Sequence, residues 1–143
     1  MSFLDSALML GSLGYHVFPL VQGGKTPAVP SFPEEASCNL DKIRSWWVDP
    51  VMGTERDYNI GIYTGRFGKD RALCVVDVDQ KSGKDGEETI LRLELEGFVF
   101  PKTAEQKTPN GKHLIYVCDE ALKQGVNVLG HGLDIRSSGG YIV

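Results

Sequence analysis

The sequence predicts a mixed α/β domain of the α+β kind, and three observations lead there. Short apolar runs bounded by glycine, proline and asparagine recur along the chain, which is how strands read. Two capping-box patterns, Ser2 with Asp5 and Asp85 with Glu88, open amphipathic stretches that read as helices. From Leu73 onward the order is strand, helix, strand, strand, loop, strand, which folds as a ferredoxin-like or RRM-like sheet with its strands side by side. The 143 residues make one domain, long enough to bury a core without staples.

The elements follow in chain order. After Ser2, residues Leu4, Ala7, Leu8 and Gly11 mark one helical face, and Gly14 can stop the helix in the left-handed conformation. Tyr15–Leu20 reads as a strand, with His16 as a structural or surface histidine. Gly23-Gly24-Lys25-Thr26-Pro27 imitates the end of a phosphate-binding loop. That reading fails, because Pro19 stands where the first glycine is needed and Pro27 hinders immediate entry into a helix. What remains is a loop lysine, Lys25, able to reach a phosphate as a point charge or to stay solvated.

Residues 28 to 38, with Pro30 and Pro33, read as an irregular connection. Asn39 or Asp41 caps a short helix through Ile43, Trp46 and Trp47, closed by Asp49-Pro50; one tryptophan anchors the core and the other packs on a loop. Asn59–Gly65 is a strand in which Gly61 permits close backbone approach. Leu73–Asp79 is the next, and the Asp85 helix with Ile90, Leu91 and Leu95 stops at Gly97. Pro109-Asn110-Gly111 turns a hairpin between Thr103–Lys107 and Lys112–Cys118. Residues 119 to 130 hold at most one helical turn, near Ala121. Gly132–Arg136 is the last clear strand, turned by Ser138-Gly139-Gly140 into Tyr141-Ile142-Val143. Because the chain ends inside that apolar strand, the expectation is a boundary within a longer protein.

Composition narrows the function. Hydrophobic residues at 41% with 24% charged residues describe a soluble globular protein. No basic leader precedes Met1-Ser2-Phe3-Leu4-Asp5 and no apolar run nears the roughly 20 residues that span a bilayer, so the expected location is the cytoplasm, without a membrane partner. Cys38, Cys74 and Cys118 are far apart and form no C-x-x-C pair, which excludes a zinc knuckle and a disulfide framework; Cys74 and Cys118 read as core residues. A net charge of −4 argues against coating DNA by charge alone and leaves room for a local basic groove.

The chemistry gathers on Leu73–Asp79. Alternation along a strand turns Asp77 and Asp79 to one face, roughly 6.6 Å apart at about 3.3 Å per residue, while Val76 and Val78 turn to the other. Alone, a D-x-D is equally the end of a strand reaching solvent. His113 and Asp134 each stand in a later apolar run, and the expected strand order brings them onto the same face. Three carboxylates there suit Mg²⁺ or Mn²⁺, hard cations that prefer oxygen ligands and bridge nucleotide phosphates. His113 and Arg136 could hold triphosphate oxygens.

Six pieces of the chain, in order, resemble the bifunctional primase-polymerase domains of the archaeo-eukaryotic primase superfamily. They are Gly24-Lys25-Thr26-Pro27; Ile43 with Trp46-Trp47; Asn59-Ile60-Gly61-Ile62 with Thr64-Gly65; Val76-Asp77-Val78-Asp79; Thr108-Pro109-Asn110-Gly111-Lys112-His113; and Gly132-Leu133-Asp134-Ile135-Arg136 with Gly139-Gly140-Tyr141-Ile142-Val143. The resemblance implies a two-lobed fold, an N-terminal α/β lobe over about residues 1–70 beside an RRM-like catalytic lobe over about 71–143. It implies Asp77, Asp79 and Asp134 as metal-binding carboxylates and His113 as a contact to the phosphates of the incoming nucleotide. Lys25, Asn59, Arg136, Ser138 and Gly139 are further nucleotide-binding candidates on the same ground. It also implies Mg²⁺ or Mn²⁺, a single-stranded DNA template, a dNTP or NTP, and a fused or separate helicase, as in plasmid and phage replication proteins. Relatives with a zinc-binding insertion differ, since this chain has no ligand set for one.

The expected activity is template-directed nucleotidyl transfer under two-metal catalysis. A non-catalytic or truncated nucleotide- or nucleic-acid-binding module is the alternative, and a metal-dependent nuclease the second alternative.

Overall fold

A computed structural model describes residues 1–143 apart from 82, 121–124 and 138, and for 127 and 128 the backbone alone. It is an α+β arrangement of antiparallel sheets with few helices. Helix α1, Phe3–Ser12, starts on the reciprocal Ser2–Asp5 cap and stops before Gly14, whose φ of 103° supplies the left-handed turn into β1, Tyr15–Leu20. Its buried face is Leu4, Ala7 and Gly11. The connection expected to be irregular contains one helical turn, α2, Phe32–Glu35, with Pro33 in its first turn, where a proline's missing N–H costs nothing.

Helix α3, Leu40–Trp47, is capped by Asn39, whose side chain accepts from the amides of Asp41 and Lys42. Trp47 is fully buried and donates its indole N–H to Tyr58 O at 2.9 Å. Trp46 is half-buried beside it, with the Arg56 guanidinium donating to its carbonyl, so the two rings divide between core and loop as their spacing requires. Strand β2, Asn59–Phe67, pairs with β1, and Gly61 is needed because a methyl there would meet the Phe18 ring at 2.6 Å. The close approach at Gly61 is thus made by a neighbouring ring and not by backbone.

Strand β3, Ala72–Asp79, is the centre of the second sheet. Helix α4, Gly86–Leu95, is capped by Asp85 and buries Gly86, Thr89 and Ile90 while Leu91 and Leu95 face solvent. Strands β4, Ala104–Thr108, and β5, Gly111–Cys118, form the expected hairpin. A strand that the sequence does not announce, β6, Gly125–Gly130, follows residues 121–124, so the helical turn expected near Ala121 lies outside the described residues. Strand β7 is Leu133–Arg136. The final strand β8, Tyr141–Ile142, does not run back along β7. It crosses over and pairs with β2.

The sheets therefore have the orders β1-β2-β8 and β4-β5-β3-β7-β6. One core cluster binds them: Leu4, Ala7, Val17, Ile43, Trp47, Ile62 and Ile142 from the first sheet and its helices meet Leu73 and Val75 of β3. The opposite face of β3 contributes Val78 to a second cluster with Ile90, Leu114 and Leu133 under α4. A strand buried on both faces needs apolar residues at successive positions, which is why 72–76 read as a continuous apolar run. The apolar demand ends where β3 leaves the core, and there Asp77 and Asp79 begin.

Candidate active site

Register decides which side chains meet. Asp77 has His113 of β5 as its cross-strand partner on one side and Asp134 of β7 on the other. Directly opposed residues of antiparallel strands share a face, so these three form a row across the sheet. Asp79 lies two positions along β3 on that face, and Arg136, opposite Val75, lies two positions the other way. The four residues expected to share a face, Asp77, Asp79, His113 and Asp134, therefore do.

Their side chains are engaged. His113 Nε2 is 3.6 Å from Asp77 Oδ1, and Arg136 Nη2 is 3.8 Å from Asp77 Oδ2. Asp79 pairs with Lys84 at 3.7 Å and accepts the Lys81 amide at 3.1 Å, while Asp134 is buried. Burial pushes the His113 pKa below the ordinary histidine value; Asp77 opposes that shift, and the positive charges of Arg136 and Lys25 add to it.

Asp77 and His113 of this row, with Asp79, floor an open cleft of about 570 Å³ between the two sheets, which the buried Asp134 does not line. Lys25, Asp77, Asp79, His113, Arg136 and Gly139 all line it. Asn59 does not. Its amide Nδ2 donates to Gly24 O at 2.9 Å, so it anchors the loop that carries Lys25. Gly139 donates its amide to the Tyr63 hydroxyl at 3.2 Å, and Ser138 lies outside the described residues.

Three contributors were not anticipated from sequence. Gln106 bonds His113 Nδ1 at 2.8 Å, Tyr141 donates its hydroxyl to Lys25 O at 2.8 Å, and Phe32 packs its ring on Tyr141 at the cleft wall. Gln106 could have been found by counting back from the Pro109-Asn110 turn, since a hairpin closed there must set Gln106 against His113. Tyr141 and Phe32 carry no comparable signal, because Tyr141 reaches the cleft through the crossing of β8 into the first sheet and Phe32 through the packing of α2 on Phe18 and Tyr63.

Asp77, Asp79 and Asp134 set carboxylates, the oxygen donors that hard divalent cations prefer, on one face of the sheet. Among the described residues no three acidic, histidine or cysteine side chains are gathered into a ligand cluster, because Asp77 turns to His113 and Arg136 and Asp79 to Lys84. Basic side chains thus neutralise these carboxylates, a role that a cation would share.

A family model described as "Bifunctional DNA primase/polymerase, N-terminal" matches residues 7–143. No curated protein and no solved structure matches the chain.

Proposed function

Since the chain belongs to the family of bifunctional DNA primase/polymerase N-terminal domains, we propose that it is a template-directed nucleotidyltransferase whose reaction centre is the Asp77 row. The observation that carries this reading is the register: one strand end places Asp77 between His113 and Asp134, and Asp77, Asp79 and His113 lie at the floor of a cleft that also holds Lys25 and Arg136. The strand order β4-β5-β3-β7, with α4 between β3 and β4, supports reading the five-stranded sheet as an RRM-like catalytic lobe beside an N-terminal lobe.

The chain's own residues divide the work. Lys25 and Arg136 bring positive charge to the cleft, and His113 places an imidazole nitrogen beside Asp77, a set of groups that suits the oxygens of a triphosphate. Asp77, Asp79 and Asp134 would hold Mg²⁺ or Mn²⁺. Such a pair of cations lowers the charge on the transferring phosphoryl group and activates the attacking 3′-hydroxyl. A single-stranded template and a dNTP or NTP are the substrates this reading requires.

Gel electrophoresis of the chain with template, with and without primer, and with each nucleotide class in Mg²⁺ or Mn²⁺ tests the assignment. The expected result is nucleotide-dependent extension that the Asp77→Asn, Asp79→Asn double variant lacks. Extension undiminished in that variant overturns it. The turning of Asp77 toward Arg136 favours one second reading, a nucleotide-binding module without turnover. Metal-dependent nucleotide binding in a calorimeter without any extended product would select it, and shortening of the DNA without nucleotide would select a nuclease.

A further inference from the structure

Gln106 lies on β4 directly opposite His113, and its side-chain amide is held at both ends. Its Nε2 donates to Val143 O at 3.0 Å, and its Oε1 faces His113 Nδ1 at 2.8 Å. The flipped amide would set two oxygens against each other at Val143, so donor and acceptor chemistry selects the orientation. An amide oxygen only accepts. The hydrogen of the neutral ring is therefore on Nδ1, and the lone pair is on Nε2, the nitrogen facing Asp77 and the cleft.

The other two histidines are arranged in the opposite sense. His16 Nε2 lies 2.7 Å from Gly68 O, and His131 Nε2 lies 2.9 Å from Gly83 O. Carbonyl oxygens accept only, so both of these neutral rings carry their hydrogen on Nε2. Among the described residues, His113 alone of the three imidazoles is bonded through Nδ1 to an acceptor fixed in place by its own second hydrogen bond.

We propose that Gln106 is a positioning residue for His113: it holds the Nδ1–H tautomer and the ring plane, so that the imidazole meets an incoming nucleotide through Nε2 alone. Groups facing the ring are Asp77 from β3, Arg136 from β7, Lys25 from the loop after β1, and Gln106 itself. Among the described residues only Gln106 reaches Nδ1. The consequence for nucleotide binding rests on the polymerase reading above, whereas the tautomer is a property of the free protein, and the two can fail separately.

Long-range ¹H–¹⁵N correlation of the imidazoles, recorded about two units above the ordinary histidine pKa, reads the tautomer directly. One ring with the Nδ1–H pattern is expected, assigned by its disappearance in His113→Asn, beside two with the Nε2–H pattern. Gln106→Glu keeps an acceptor at Nδ1 and should keep the pattern; Gln106→Leu should lose it to Nε2–H or to an average. In extension assays Gln106→Leu should raise the nucleotide KM about 10-fold, with a smaller change in kcat, and Gln106→Glu should recover most of the loss. Gln106→Met serves should the leucine variant not fold. An Nε2–H pattern for His113 in the unaltered protein, or an unchanged tautomer in the leucine or methionine variant, overturns the proposal. A tautomer change in a protein that extends nothing counts against the polymerase reading and leaves the positioning role standing.

Discussion

Asp77 is the residue on which the site turns, because it sits on the central strand with His113 and Asp134 as its cross-strand neighbours. Asp77→Asn keeps the volume and removes the charge. Extension is expected to fall at least about 100-fold, while the thermal midpoint moves by only a few degrees, since its pairs with His113 and Arg136 are partly exposed. Activity with and without template, beside a melting curve, checks both halves. Cys118 offers a pH test away from the cleft. Burial, with a hydrogen bond from its S–H to Cys74, pushes its thiol up to about 11. An unfolded chain loses that proton near the ordinary thiol value of about 8.5, so stability is expected to decline as pH rises through the interval up to about 11. Alkylation followed by mass spectrometry at pH about 8 should label Cys118 roughly 100-fold more slowly than an ordinary thiol. The four principal site residues were legible in sequence because strand alternation and a strand order suffice to put them on one face. Gln106 was not, since its part depends on a register set at the hairpin turn; Asn59 lies off the cleft and bonds the loop that carries Lys25, a placement that its position at a strand entrance does not reveal.

The β4–β5 hairpin sets that register, and its weakest tolerance is at Gly111. A methyl group there would lie inside the contact distance of Val78 O, against the backbone of Val78 and Asp79 on the neighbouring strand. Gly111→Ala is expected to cost about 3 kcal/mol or to shift the register of β5 against β3, and chemical denaturation with a fold check by circular dichroism measures it. Helices announced themselves well, because caps are local: Ser2, Asn39 and Asp85 each bond an amide within three residues. Strand β6 was missed for the converse reason, as Gly125-Val126-Asn127-Val128-Leu129-Gly130 has glycine at both ends and pairs only at the sheet edge with β7. The turn ahead of Tyr141–Val143 was legible, but the pairing of β8 with β2 was not, because a turn motif shows where a chain turns and not which sheet receives it.

At the scale of the molecule, the two sheets share Leu73, Val75, Ile62 and Ile142 in one core, and that sharing predicts how the protein unfolds. Urea denaturation followed by Trp47 fluorescence and by far-ultraviolet dichroism should give one coincident transition; two separated midpoints would show the halves to be independent. Ile142→Ala, from a short strand but fully within this core, should lower stability by about 2–4 kcal/mol and move both probes together. The crossing of β8 has a mechanical consequence too. Between Arg136 and Tyr141 the chain passes from one sheet to the other, and on the way Ser137 O accepts the Thr64 hydroxyl at 2.6 Å and Gly140 O accepts the Thr64 amide at 3.1 Å. Five peptide steps, at most about 18 Å, thus leash the carboxylate row to the opposite wall, and two bonds shorten the leash further. The cleft cannot widen at its floor as a pair of jaws would; any change of gauge has to come from its rim, the Lys25 loop and the tip of the β4–β5 hairpin.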